Sequence, residues 1–252
     1  MAAERERQSI QVIARAAAIL RVLEANRDGL SLGAIAKLVK LPRSTVQRIV
    51  GALDKESLVI VPSGASGVRL GPALIALASA THFEIAEIAR PTLELLAKET
   101  GETVDLAIAD FNKVVFIDQV PGKHRLAAIS GVGVSFPLHC SANGKAILSV
   151  LSESELARLR RSTKLEKHTK NTITSWDALM SEIEDTRKTG LAFDLEENSE
   201  GICAVATAII GPTGERAAIS IPVPVQRFGA SRDHLAQLLL SRRQNLVKML
   251  VH

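Results

Sequence analysis

The chain has 252 residues, 46% of them hydrophobic, enough apolar material for two globular domains rather than one. Its net charge of +4 is unevenly spread: residues 1–70 hold 11 Lys and Arg against 6 Asp and Glu, a net of +5, and the remainder sums to −1. The first quarter of the chain is therefore suited to a polyanion. With no Tyr, one Trp and six Phe there is little to stack on unpaired bases, which points to duplex DNA and away from RNA or single strands.

In chain order, residues 1–9 read as a charged, frayed start, and 10–26 as an amphipathic helix with Val12, Ala16, Ile19, Leu20 and Leu23 on one side. Asp28-Gly29 closes it. Ser31 is an N-cap for a short helix in which Ile35, Leu38 and Val39 recur at helical spacing. Pro42 suits the first turn of the next helix, where Val46, Ile49, Val50 and Leu53 form a second apolar stripe. The opposite face offers Arg43, Ser44, Thr45, Gln47 and Arg48. Arginine takes a guanine edge bidentately, glutamine takes adenine, and hydroxyls or helix-start amides, those at Ser31 included, hold phosphate. The pair reads as a helix-turn-helix, an ordinary helical hairpin with a solvated polar face being the plainer alternative. Residues 58–61 and 68–70 read as strands around a turn over 62–67, a wing from which Arg69 reaches phosphate or the minor groove.

Gly71-Pro72 breaks the pattern, and an alanine-rich helix starts at Ala73 and runs to Ala80. Pro91 opens another helix that ends at Gly101. Strands are expected over 103–109, 114–120, 126–130, 204–210 and 217–223, and helices over 142–150, 152–161, 175–189 and 232–250. Strands and helices mixed without strict alternation predict an α+β domain on a mainly antiparallel sheet. The expected domains are 1–70 (winged helix-turn-helix), 71–90 (linker helix) and 91–252 (effector-binding).

His139 and Cys140 invite a nucleophile reading, but neighbours on a strand point to opposite faces. Gly144-Lys145 lacks both the earlier glycine and the Ser/Thr of a phosphate loop, and Gly131-Val-Gly133 lacks the third glycine of a dinucleotide fingerprint and reads as a bend. Ser141-Ala-Asn-Gly starts a helix whose amides suit an anion, or is a plain N-cap. Asp194, Glu196 and Glu197 read as a solvated acidic loop, and Cys203 and Ser220 as strand residues that either fill the core or line a pocket. Two cysteines make neither a disulfide framework nor a zinc site alone, so no metal and no cofactor are expected. The N-terminus lacks a signal-peptide core and no apolar run reaches about 18 residues, which predicts a cytoplasmic protein with no membrane span.

The stretches RAAAILRVLEAN, SLGAIAKLVKLPRSTVQRIVGAL and VRLG are similar to the N-terminal domain of IclR-type bacterial transcription regulators. PLHCSANGKAIL, GLAFDLEENSEGICAVATAI and GERAAISIPVPVQRF resemble their effector domain. The resemblance implies a winged helix-turn-helix, a linker helix and a GAF-like effector domain, a homodimer or dimer of dimers on double-stranded operator DNA, and a small-molecule effector. It places Gly131, His139, Ala142, Asn143, Asp194, Cys203 and Ser220 at the effector. Pro222 stands where a second serine is common, and Cys203 lies one residue closer to Gly201 than the family's cysteine. The expected effector is a small organic molecule bearing a carboxylate, with a donor for Asp194. An enzyme domain carrying a DNA-binding appendage is the alternative, and it would need a convergent acid, base or nucleophile set that the sequence does not show.

Overall fold

The computed structural model describes residues 2–62, 67–79 and 84–250, with side chains from Gln11 onward except Ser79. It divides into two compact units, Met1–His82 and Phe83–His252. The turn expected over 62–67 lies largely outside the described residues, as do Ala80 and positions 81–83.

In the first unit, α1 (Ala2–Glu24) begins well before the expected Ile10. It packs with α2 (Leu32–Leu38) and α3 (Arg43–Lys55) around Ile19, Leu23, Ile35, Val46, Val50 and Leu53. Ser31 caps α2, its Oγ accepting from the Ala34 amide at 3.2 Å. Pro42 is the cap of α3 rather than its first residue, and its carbonyl accepts from the amides of Thr45 and Val46. The wing pairs β1 (Val59–Ile60) with β2 (Arg69–Leu70). A bridge from Leu30 to Val68 ties it to the loop before α2, a third partner that sequence reasoning did not place. Gly67 is required there, because a Cβ would lie 2.4 Å from the Leu30 amide nitrogen. Helix α4 (Ala73–Ser79) follows the wing.

The second unit opens with α5 (Glu84–Thr100), which carries Pro91 inside it. The expected helix start and domain boundary at Pro91 thus fall within one continuous helix. The sheet is antiparallel, in the order β5-β4-β3-β8-β7-β6. Its strands are β3 (Val104–Asp110), β4 (Lys113–Val120), β5 (Ser135–Pro137), β6 (Ala192–Leu195), β7 (Ile202–Ile210) and β8 (Arg216–Pro224). One face packs on α5 and on α9 (Val225–Leu250) through Leu93, Leu96, Leu106, Val205, Ile219, Ile221 and Leu239. The other packs on α6 (Ala142–Ser149) and α8 (Trp176–Thr189) through Ala204, Ala206, Ala208 and Ala218. Along β7 the period of two is kept: Val205 and Ile209 face the long helices, and Ala204, Ala206 and Ala208 let α6 approach the sheet closely. Helix α7 (Glu153–Ser162) begins with a capping box of Ser152 and Glu155. Pro222 is tolerated in β8 because pairing with β3 ends at Ser220.

Residues 126–130, expected as a strand, are irregular; the edge strand is β5 instead. Strand β6 was not expected, and α9 begins at Val225, directly after β8, rather than at 232.

Candidate functional site

On α3, Arg43, Ser44, Gln47 and Arg48 are exposed and Thr45 is half-buried, over the buried Val46, Ile49, Val50 and Leu53. Among the described residues, the side chains of Arg43, Ser44, Gln47 and Arg48 make no hydrogen bond or ion pair, so their donors are turned to solvent. Ser31 is exposed but already serves as the α2 cap. Arg69 is exposed as well, and its Nε donates to the Asp28 carbonyl at 3.2 Å, which holds the wing against the loop after α1.

In the second unit a cavity of about 280 Å³ lies between the start of α6 and the sheet. Ser141, Ala142 and Asn143 come from α6 and its cap, Asp105, Phe116, Ala204, Ser220 and Pro222 from the sheet, and Ala127–Ser130 with Phe136 close one side. Asp194, Asn198, Ser199 and Ile202 complete the wall. Two residues explain how α6 gets so close. The Asn143 Nδ2 donates to the Ala218 carbonyl at 3.3 Å. At Gly144 a Cβ would sit 2.2 Å from the Leu138 carbonyl oxygen, so only glycine fits.

The electrostatics of the lining are one-sided. Asp105 accepts from Gln119 Nε2 at 2.6 Å and from Ser130 Oγ at 2.7 Å, yet burial pushes its carboxyl up to about 6. Burial pushes Asp194 up to about 7, although the Glu197 amide donates to its Oδ1 at 2.7 Å, and the Glu197 charge raises it further. Among the described residues, no Lys, Arg or His lines the cavity. Both carboxyls titrate near 3.8 when unfolded, so the folded state holds protons that the unfolded chain releases. Their stabilisation is therefore complete below about pH 4 and is lost as pH rises through 6 and 7. In urea titrations at about pH 5 and about pH 8, Asp194→Asn should show a smaller drop in unfolding midpoint than the parent. An equal drop in both would show that Asp194 does not hold its proton.

Of the residues expected at the effector, Ala142, Asn143, Asp194 and Ser220 line this cavity together. Cys203 does not: it packs in the layer with α5 and α9, because Ala204 holds the inward position and a one-residue step on a strand reverses the face. Gly131 lies in the loop before β5 and is not in the wall, and His139 lines a neighbouring groove with Glu166 and His168. The acidic segment is no solvated loop, since Asp194 sits on β6 and Asp194 and Glu197 are both buried. His139 and Cys140 occupy a turn, not a strand, so opposite faces do not separate them. Cys140 is nevertheless no nucleophile, because burial pushes its thiol up to about 12. Sequence reasoning passed over Asp105, Ser130 and Asn198. The signal for Asp105 was a single carboxylate inside an apolar strand, directly opposite Ser220 in the β3–β8 register.

The description Bacterial transcriptional regulator IclR C-terminal matches residues 77–246, and IclR helix-turn-helix domain matches 12–59. The HTH-type transcriptional regulator Rv1719 of Mycobacterium tuberculosis is 45% identical, over 92% of this chain and 89% of its own. The HTH-type transcriptional repressor AllR of Escherichia coli is 32% identical, over 88% and 83%. The crystal structure of the Thermotoga maritima IclR superposes with a TM-score of 0.75 at 29% identity, covering 96% of this chain and all of that one. These relatives are regulators and not enzymes, and among the described residues no helix is long and apolar enough to cross a membrane. With a helix-turn-helix in one unit and a cavity in the other, and with family matches over residues 12–59 and 77–246, the chain belongs to the IclR family of bacterial DNA-binding transcription regulators.

Proposed function

We propose that the protein is a repressor that holds operator DNA through α3 and releases it when a small organic effector enters the cavity. A relative named as a transcriptional repressor, AllR, supports the sign of regulation. The observation that carries the effector class is the pair of buried carboxyls, Asp105 and Asp194, in a wall without a cation. The first turn of α6 offers about half a positive charge, which Asp105 and Asp194, raised to about 6 and about 7, outweigh once both are ionised at about pH 8. A carboxylate effector is thus disfavoured, and an uncharged or cationic molecule with a hydroxyl or amine donor on an apolar body is favoured. A cavity of about 150 Å³ accepts benzene, so about 280 Å³ suits a substituted ring.

Benzyl alcohol, benzylamine and benzoate form a matched test set by thermal shift. A ligand at 100 times its Kd adds about 2.7 kcal/mol of stability. The alcohol or amine should raise the unfolding temperature more than benzoate does, and the reverse order would defeat the donor reading. Because ligand and operator must change each other's affinity by one factor, typically about 5–150-fold, release from DNA can be read on the same samples. Ser220→Leu fills the cavity from the sheet side. It should abolish effector response and leave unliganded operator binding intact. A surviving response would place the effector elsewhere.

The assembly proposed is a homodimer or dimer of dimers. Operators read by such helices consist of two half-sites about one helical turn apart, and each chain brings one α3, so the occupant of the apolar surface on the first unit is a second copy. On that surface Val12 and Ile13 of α1 are 50% and 70% exposed. Light scattering at micromolar concentration should give at least twice the chain mass of 27.0 kDa, and Val12→Glu with Ile13→Glu should lower it. A parent mass of one chain would refute the dimer.

A further inference from the structure

The turn between β5 and α6 carries His139 and Cys140, and the segment between α7 and α8 carries His168. One potential ligand atom from each, a ring nitrogen from both histidines and the Cys140 Sγ, lie within 4.8 Å of one another. His139 and Cys140 are buried and His168 is exposed. The His139 Nε2 lies 3.0 Å from the Glu166 carbonyl oxygen. As a donor in that contact Nε2 keeps the proton, which leaves Nδ1 bare. A backbone carbonyl on the second ring nitrogen is the outer-shell partner that metal-bound histidines have. Both rings also line a groove open to solvent, which gives an ion a way in.

We propose that His139, Cys140 and His168 form a zinc site with three protein ligands and a fourth position open to that groove. The donor set decides the metal: thiolate and imidazole suit zinc, whereas calcium and magnesium take oxygen ligands. Tetrahedral zinc, with Zn–S about 2.3 Å and Zn–N about 2.0–2.1 Å, sets its donors roughly 3.3–3.7 Å apart. The gap of up to 4.8 Å therefore closes by about an ångström, which the exposed His168 ring can supply by rotation. As the Zn–S bond forms, the Cys140 thiol gives its proton to solvent. The site is independent of the effector cavity yet adjoins it: Cys140 precedes the Ser141 cap of α6, and its Sγ lies 3.7 Å from Oδ1 of Asn198, a cavity residue.

The test uses the full chain, stripped of metal and kept reduced without thiols. Titration with Co(II) should develop a thiolate-to-metal charge-transfer band at one equivalent per chain, and zinc should remove it. Cys140→Ser should abolish the band, whereas Cys203→Ser, in the other layer of the core, should keep it. His168→Ala, a change at an exposed residue, should weaken zinc binding by more than the roughly 10–100-fold that loss of an outer-shell partner brings. Absence of the band in the parent, its persistence in Cys140→Ser, or unchanged zinc affinity in His168→Ala would each overturn the site.

Discussion

Lys145→Met is expected to destabilise the effector domain by about 3–5 kcal/mol, the usual penalty when one partner of a buried ion pair is removed. Lys145 is fully buried on α6, and its Nζ donates to Glu197 Oε1 at 2.6 Å and to Glu182 Oε2 at 3.2 Å. Methionine keeps the length of the apolar stem, so the change isolates the charge. Glu197 is then left in a site where burial already pushes its carboxyl up against the pull of Lys145, and its Oε2 has no hydrogen-bond partner. It takes up a proton instead of staying charged, which limits the penalty and makes it larger at high pH than at low pH. The double variant Lys145→Met with Glu197→Met should recover most of the loss, because two apolar side chains replace an ion pair at little net cost. Denaturant unfolding of the four proteins in the cycle measures this. A loss below about 1 kcal/mol in the single variant, the range of surface pairs, would show that water reaches the pair. The pair has a use beyond stability: it joins the start of α6 to the corner after β6 that carries Asp194, the two elements whose spacing sets the cavity.

That long-range pairing is also where the sequence stopped being readable. The stripes of α1 to α3, the Ser31 and Ser141 caps and the β7–β8 hairpin all follow from patterns within a few residues, and they were legible. Residues 194–197 were not, because three carboxylates within four residues look solvated until a lysine more than fifty positions earlier is brought against one of them. Residues 126–130 have strand composition, yet their apolar side chains and Ser130 serve as a cavity wall, and wall-building and strand-pairing use the same residue types. Helix α9 starts before Gly229, because one glycine in a helix costs only about 1 kcal/mol, and Phe228 and Leu235 are anchored in the core. Asp105 shows the limit most clearly. Its strand was expected, but a lone acid in an apolar strand becomes a site residue only when Ser220 and Ser130 are seen beside it.

Arg43→Ala and Arg48→Ala together should weaken operator binding by about 2–6 kcal/mol if both arginines read base edges, since each such contact is worth about 1–3 kcal/mol. The expectation rests on their setting. Both are exposed on α3, neither has a partner among the described residues, and the stripe beneath them fixes which way the helix faces. Arg69 is the informative contrast, because its Nε is already used at the Asp28 carbonyl. Arg69→Ala should loosen the wing and lower stability more than it alters sequence preference. Base readers and phosphate contacts separate on two axes. Losing a base reader relaxes one operator position, whereas losing a phosphate contact weakens all sequences alike and reduces the salt slope by about 1. Gln47→Ala, which removes an adenine-type bidentate pair, should behave as a base reader, whereas Ser44→Ala and Thr45→Ala should weaken all sequences alike with the salt slope unchanged, because a neutral hydroxyl on phosphate displaces no counterion. Gel shifts on operator and scrambled duplexes at about 50 and about 200 mM salt resolve the two classes. If the Arg43/Arg48 double variant holds operator as tightly as the parent at both salt concentrations, α3 is not the helix that reads the DNA.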